Sequence, residues 1–416
     1  MTSKIVFCFP YRGVGGVSLL FSRVASVISL EHEVYVVDYS DGFMARRVNQ
    51  RVKLIEYNDN SQCKIPDNSV VVFQAMTPWS IFPSLRFGDS TRMFFWHCHP
   101  YNLVPSFPYI DDFLKSNKSI NRLIYKTLFY GYWKRSRDFL KYLIENDAIG
   151  FMDEPNKNTS SYFFKDIIPS NIDYLRIPAN SVEVKELSHS KGVMRFGWLG
   201  RITDFKFSVL ERAIITLDEV AANSECEIEF SVIGSGDYLE YVMDLCKGTS
   251  HVKIDFIDYI EPSHLDDFIS ENIDVMLAMG TSALEAAKLG VPTVLLDFSY
   301  EEVPSTYIFS PIFLRNGNTL GTQVSELEDC AFSSQGSYES IMKIVADIES
   351  GRFDEYSEKT LHYFKKYHEV DKIAEQLVIM LMNTKANYLD LHKANVCSSR
   401  TSLYSLVKRL KRLKRG

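Results

Sequence analysis

The chain has 416 residues, 46% of them hydrophobic and 24% charged, with a net charge of −7. This length exceeds one ordinary core and predicts two domains of a soluble globular protein. The longest apolar runs, "SVVVFQAM" and "VPTVLLDF", fall far short of the roughly 20 residues of a membrane span. Seven cysteines without a CxxC pair suggest neither a disulfide framework nor a zinc site, so no metal is expected. The N-terminus passes from a lysine into a strand-like run with no signal-peptide pattern, so a reducing cytoplasm is the expected setting. Six bases stand in the final nine residues, and without them the net −7 becomes −13, a body that does not attract nucleic acid.

In chain order, "KIVFCFP" reads as a strand, "GVSLLFSRVASVISL" as a helix and "EVYVVDY" as the next strand, a βαβ unit. "SVVVFQA" and "TRMFFWHC" are further strands. Residues 119–145, rich in Tyr, Trp, Lys and Leu at helical spacing, predict one or two surface helices, and "DAIGFMD" another strand. The polar stretch "YLRIPANSVEVKELSHSKG" predicts the linker. A second alternating series follows: "VMRFGWLG", "FSVLERAIITLDEVAA", "CEIEFSVIG", "YLEYVMDLCK", "VKIDFID", "HLDDFIS", "IDVMLAM", the helix opening "GTSALEAAKLG", and "PTVLLDF". Strands separated by helices predict parallel sheets covered on both faces. The expected class is α/β with two Rossmann-like doubly wound domains, residues 1–178 and 193–385, the last helix crossing back to the first, then a basic tail over 400–416.

In such sheets ligands bind beyond the carboxyl ends of the strands, so the residues just after each strand carry the chemistry. In "FPYRGVGGVS", Arg12, Gly13, Gly15 and Gly16 precede a helix whose N-terminus favours an anion. The alternative is a tight turn with no ligand. Ser18 stands where the last glycine of a dinucleotide fingerprint belongs, so that fingerprint is incomplete. In "FGWLGRITDFKF", Gly200, Arg201 and Lys206 place two cations at a strand end, suited to a pyrophosphate or simply solvated. In "FSVIGSGDYLEYV", Gly234 and Gly236 form a turn that either approaches a ligand or only closes a loop, with Asp237 a helix cap rather than an acid. In "MGTSALEAAKLGVP", Gly280, Thr281 and Ser282 lie at a helix start. Glu285, expected in the first turn, either complements the helix dipole or accepts from vicinal sugar hydroxyls.

Together, in this order, these motifs resemble the GT-B fold nucleotide-sugar glycosyltransferases, most closely the family-4 retaining group. The resemblance runs over about residues 1–385 and is strongest over 195–297. It implies a donor in a cleft between the two domains, with the nucleotide mainly on the second. Carried over by position, Arg201 and Lys206 would hold the donor diphosphate, together with Gly200, Gly234 and Gly236. Glu285 would bind ribose, Gly280, Thr281 and Ser282 would contact phosphate or sugar, and Gly15 and Gly16 would close over the leaving phosphate. The family's usual Glu-x7-Glu pair is incomplete, because Leu277 stands at the first position. Phe207 replaces the glycine that commonly follows the lysine.

His97 and His99, after "TRMFFW", are spaced to share a face in extended chain, where a metal is conceivable but has no further ligands. In the family a histidine near this place lines the cleft by the reacting sugar, so one of the two, His97 ahead of His99, is the expected polar contact or acid/base aid. A hydrogen-bonded core histidine is the alternative. No cofactor is expected beyond the nucleotide-diphosphate sugar itself. The C-terminal "SLYSLVKRLKRLKRG" spaces Leu403, Leu406, Val407, Leu410 and Leu413 as a basic amphipathic helix. It is expected to rest on an anionic membrane surface through 403–416, at the inner face of the plasma membrane beside a glycan or lipid-linked acceptor. A nucleotide-sugar 2-epimerase and a non-catalytic carbohydrate-binding relative are alternatives on the same architecture. A dinucleotide oxidoreductase would have only Asp38 as its ribose acid.

Overall fold

The computed structural model describes residues 4–13, 15–58, 60–76, 84–104, 118–165 and 167–394. The chain divides into two compact units, Met1–Pro178 with Val370–Gly416, and Ala179–Glu369. The second unit thus ends at 369 rather than at 385, and the helix Val370–Asn383 packs on the first unit. The stretch expected as a linker is shared out. The carbonyl of Leu175 accepts from Trp96 Nε1 at 3.0 Å in the first unit. His189 is held between Asp274 and Glu349 in the second.

The first unit is built on a six-stranded parallel sheet: β1 (Lys4–Cys8), β2 (Val34–Asp38), β3 (Lys53–Glu56), β4 (Ser69–Gln74), β5 (Arg92–His97) and β6 (Ile149–Phe151). Their spatial order is β3-β2-β1-β4-β5-β6. The central strands are apolar at consecutive positions because helices cover both faces, and β5 is buried from Met93 to His97. Helix α1 (Gly16–Ile28) lays Leu20, Phe21, Val24 and Ala25 on the sheet at helical spacing, with Phe21 packed edge-on to Phe7 and tilted against Trp96.

Asp38, at the carboxyl end of β2, is fully buried. Its carboxylate accepts from the backbone N–H groups of Tyr11, Tyr39, Met44 and Ala45. These bonds fix the turn after β1, and they occupy the one acid that a dinucleotide site would have used.

The second unit repeats the topology with β7 (Val193–Leu199), β8 (Glu227–Ile233), β9 (Lys253–Ile257), β10 (Val275–Ala278), β11 (Thr293–Leu295) and β12 (Ser310–Pro311). The order is β9-β8-β7-β10-β11-β12, parallel except for the last pair. Asp297, just past β11, is buried and accepts from Arg315 at 2.9 Å, Tyr307 at 3.0 Å and the Thr322 N–H at 2.8 Å. Removing one member of such a group strands the others and costs about 3–5 kcal/mol. In both sheets the order reverses between the first and fourth strands, and ligands of doubly wound sheets bind outside the carboxyl ends at that point.

Candidate functional site

In the second unit the reversal falls between β7 and β10, and the two loops that leave it carry the motifs. After β7 the chain runs Gly200, Arg201, Ile202 and Thr203 into α6 (Asp204–Asn223). After β10 only Met279 and Gly280 intervene before α9 (Thr281–Ala287).

These loops converge at Gly200. A Cβ placed there would lie 3.2 Å from Lys206 Nζ and 3.6 Å from Ser282 Oγ. The missing side chain is what lets an ammonium and a hydroxyl share this space. Burial lowers the Lys206 pKa, and the neighbouring Arg201 charge lowers it further. Among the described residues neither cation has a carboxylate within ion-pair distance, and Lys206 has only the Phe205 ring at 5.9 Å. Thr203, in the same turn, buries its Oγ1 without a hydrogen-bond partner among the described residues. Two like charges held together, one half-buried, are a pair whose repulsion an anion would relieve. Sequence reasoning placed both cations but missed Thr203.

The glycines sort into two kinds. Gly234 has φ +130° and a Cβ there would sit 2.3 Å from the Gly200 carbonyl oxygen. For Gly236 the values are φ +154° and 2.2 Å from the Ile202 carbonyl oxygen. The loops after β7 and β8 therefore pack backbone on backbone, tied by Gly200 N–H to Ile233 O and Ile202 N–H to Ser235 O. The chain's own packing therefore accounts for a glycine at both positions. The N–H groups of Gly200, Gly234 and Gly280 are also bound, to Ile233, Ile257 and Leu320 carbonyls respectively.

Gly16 differs. It opens α1 beside Gly15, has no positive φ, and a Cβ there would meet nothing within 4 Å. Gly16→Ala is therefore expected to hold or raise stability by about 0.5–1 kcal/mol, the usual gain for Ala over Gly in a helix. Urea unfolding checks this, and a loss would show a packing role.

Glu285 is the fifth residue of α9, beyond the first turn where it was expected. Its Oε2 lies 2.6 Å from Lys288 Nζ, and the same ammonium is 2.8 Å from Asp266. Lys288, unnoticed in the sequence, sits nearly buried between two acids. Leu277 is fully buried within β10, its backbone paired with Trp198. No carboxylate arises from that position.

In the first unit His97 ends β5 with its side chain fully buried, its ring 5.2 Å from Phe151 and both ring nitrogens without a hydrogen-bond partner among the described residues. Burial, aided by His99, pushes its pKa down to about 3. The imidazole is neutral at physiological pH, a form that can donate one hydrogen bond and accept another. His99 is exposed and accepts from the Tyr101 N–H at 3.3 Å. The strand stops at His97, so the two rings do not share a face. Among the described residues no group of three His, Cys, Asp or Glu side chains could hold a metal.

The depressed His97 pKa has a stability consequence. A histidine near 6.5 when unfolded and about 3 when folded favours the unfolded state as pH falls below 6.5. Acidification from pH 7 to pH 5 should therefore cost about 2 kcal/mol through this group. Asp153, pushed up to about 6 by burial, titrates in the opposite sense and is common to wild type and His97→Phe. The variant should lose about 2 kcal/mol less than wild type over that interval in urea titrations. Equal losses would contradict the assignment.

The two Rossmann-like units, each ordered 3-2-1-4-5-6, have the GT-B fold of glycosyltransferases. Among solved structures, the chain is similar to a glycosyltransferase from Rickettsia africae ESF-5. The pair have 12% identity and a TM-score of 0.54, over 91% of this chain and 98% of that one. It is also similar to TarM, at 9% identity and a TM-score of 0.50, over 92% and 99%. WaaG, a glycosyltransferase involved in lipopolysaccharide biosynthesis, has 15% identity and a TM-score of 0.47, over 91% and 99%. No family model and no curated protein sequence matches the chain.

Proposed function

We propose that this protein is a glycosyltransferase that moves a sugar from a nucleotide-diphosphate donor to a glycan or lipid-linked acceptor, with retention at the anomeric carbon. The observation that carries this reading is the convergence of Lys206 and Ser282 on Gly200, beside Arg201, at the switch point of the second sheet. As the bond from the anomeric carbon to the diphosphate breaks, its electron pair passes to a phosphate oxygen. Arg201 and Lys206 stabilise that charge. The acceptor hydroxyl forms the new bond to the same face of the sugar and gives its proton to the leaving diphosphate. Glu285 takes the ribose hydroxyls, and Thr281 and Ser282 contact phosphate or sugar. His97 is a neutral contact to the sugar, and Gly15 and Gly16 serve the leaving phosphate. The nucleotide sugar is a substrate, and no cofactor or metal enters the proposal.

The test is acceptor-dependent release of nucleoside diphosphate from a panel of UDP-, GDP- and ADP-sugars. Release that depends on both donor and acceptor is expected. Nucleotide binding without turnover on any acceptor would favour the non-catalytic carbohydrate-binding reading, which the buried Leu277 specifically supports.

The proposed setting is the inner face of the plasma membrane, with 403–416 resting on anionic lipid. That segment lies outside the described residues. No helix among the described residues is long and apolar enough to cross a membrane.

A further inference from the structure

The first unit carries a surface that the donor site leaves unexplained. Helices α3 (Lys118–Thr127) and α4 (Tyr130–Glu145) form a hairpin. Its inner face is anchored: Tyr125, Phe139, Leu140 and Leu143 are buried, and Trp133 Nε1 donates to the Phe163 carbonyl at 3.0 Å. Its corner is not covered. Leu128, between the helices, is 79% exposed, the most exposed large apolar side chain among the described residues. Leu123 is 64% and Tyr130 53% exposed. Large apolar side chains exposed this close together in sequence mark a docking face.

Charge identifies the partner. Residues 118–137 contain six basic and no acidic residues, in a chain whose net charge is −7. Lys126 Nζ lies 5.3 Å over the Trp133 ring, which Tyr130 stacks at 5.9 Å. Lys134 is exposed on the next turn. A hairpin that exposes leucines and carries Trp, Tyr and Lys in the same segment matches the interface of a bilayer, where apolar groups enter and cations meet anionic headgroups. A protein partner is disfavoured, because interface cores are depleted of Lys. A second copy would set like charge against like charge across a two-fold axis.

We propose that the α3–α4 corner is a docking site for an anionic lipid bilayer, inserting Leu123, Leu128 and Tyr130 with Lys126 and Lys134 on the headgroups. This inference stands apart from the transferase reading, and a failure to bind nucleotide would leave it intact. The test is co-sedimentation of the full chain with phosphatidylglycerol/phosphatidylcholine vesicles and with pure phosphatidylcholine vesicles. Wild type is expected to partition at least tenfold more strongly onto the anionic vesicles. Leu123→Ser/Leu128→Ser/Tyr130→Ser, with the 403–416 segment intact, should lose at least tenfold, with an unchanged melting temperature. Lys126→Glu/Lys134→Glu should lose binding only where the vesicles are anionic. Wild-type binding by the triple variant would overturn the proposal. So would sedimentation velocity showing a wild-type dimer that the triple variant dissociates, because the face would then belong to a second copy.

Discussion

Lys206→Ala is expected to lower turnover by two to three orders of magnitude, the usual effect of removing one preorganised group from a site of developing charge. Its melting temperature should be no lower than that of wild type. The two expectations share a cause. In the folded protein the Lys206 ammonium is partly desolvated and lies beside Arg201, and both effects lower its pKa. A cation whose folded pKa is depressed weakens the fold wherever it is charged, and the penalty fades as pH rises toward the unfolded value near 10. Removing the ammonium relieves the penalty at neutral pH and takes away the charge that a diphosphate would meet. Steady-state kinetics beside a melting curve separate the two effects. An inactive variant that also melted well below wild type would show a structural lysine. A stable and fully active variant would remove Lys206 from the site. Arg201→Ala should act in the same direction, and the double variant should fall short of additivity, because the two charges interact.

A large loss of stability is expected from Gly236→Ala. A Cβ there would stand 2.2 Å from the Ile202 carbonyl oxygen at φ +154°, and the obstacle is backbone, which cannot swing aside as a side chain could. Relief requires pulling apart the loops after β7 and β8 and losing the Ile202 N–H to Ser235 O bond. A cost of about 3 kcal/mol or more is expected from strain and the lost bond together. Gly280→Ala is the comparison. It has φ +62° and ψ −140°, a conformation that favours glycine, but nothing within 4 Å of its Cβ, so it should cost about 1–3 kcal/mol from backbone conformation alone. Denaturant midpoints of the two variants settle the order, and a reversed order would contradict the packing described for these loops.

The sheets were legible in the sequence because their strands are buried on both faces and read as unbroken apolar runs, as in "RMFFWH" and "VMLA". Arg201 stood out because it comes just after a strand, and Lys206 because it follows in the first turn of the next helix. The glycines were not separable, because one residue type answers three needs: a positive φ, a close backbone neighbour, or a ligand. Only geometry distinguishes Gly236, pressed on Ile202, from Gly16, with open space around it. Asp38, Asp297 and Lys288 were opaque for another reason. The bonds of Asp38 run to Tyr11, 27 residues away, and those of Asp297 to Thr322, 25 residues away, so no local pattern announces either. His97 read as a cleft residue because its place at the end of an apolar strand is plain in sequence, whereas the burial that lowers its pKa is a property of the packed unit.

The central claim is that Arg201, Lys206 and Ser282 form a diphosphate site. Thermal-shift titration of the full chain with UDP, GDP, ADP and CMP tests it most directly. At least one nucleoside diphosphate should stabilise wild type by an amount that grows with concentration. Arg201→Ala and Lys206→Ala should each weaken that response at least tenfold in apparent affinity. A wild type indifferent to every diphosphate, or variants that respond as it does, would contradict the account.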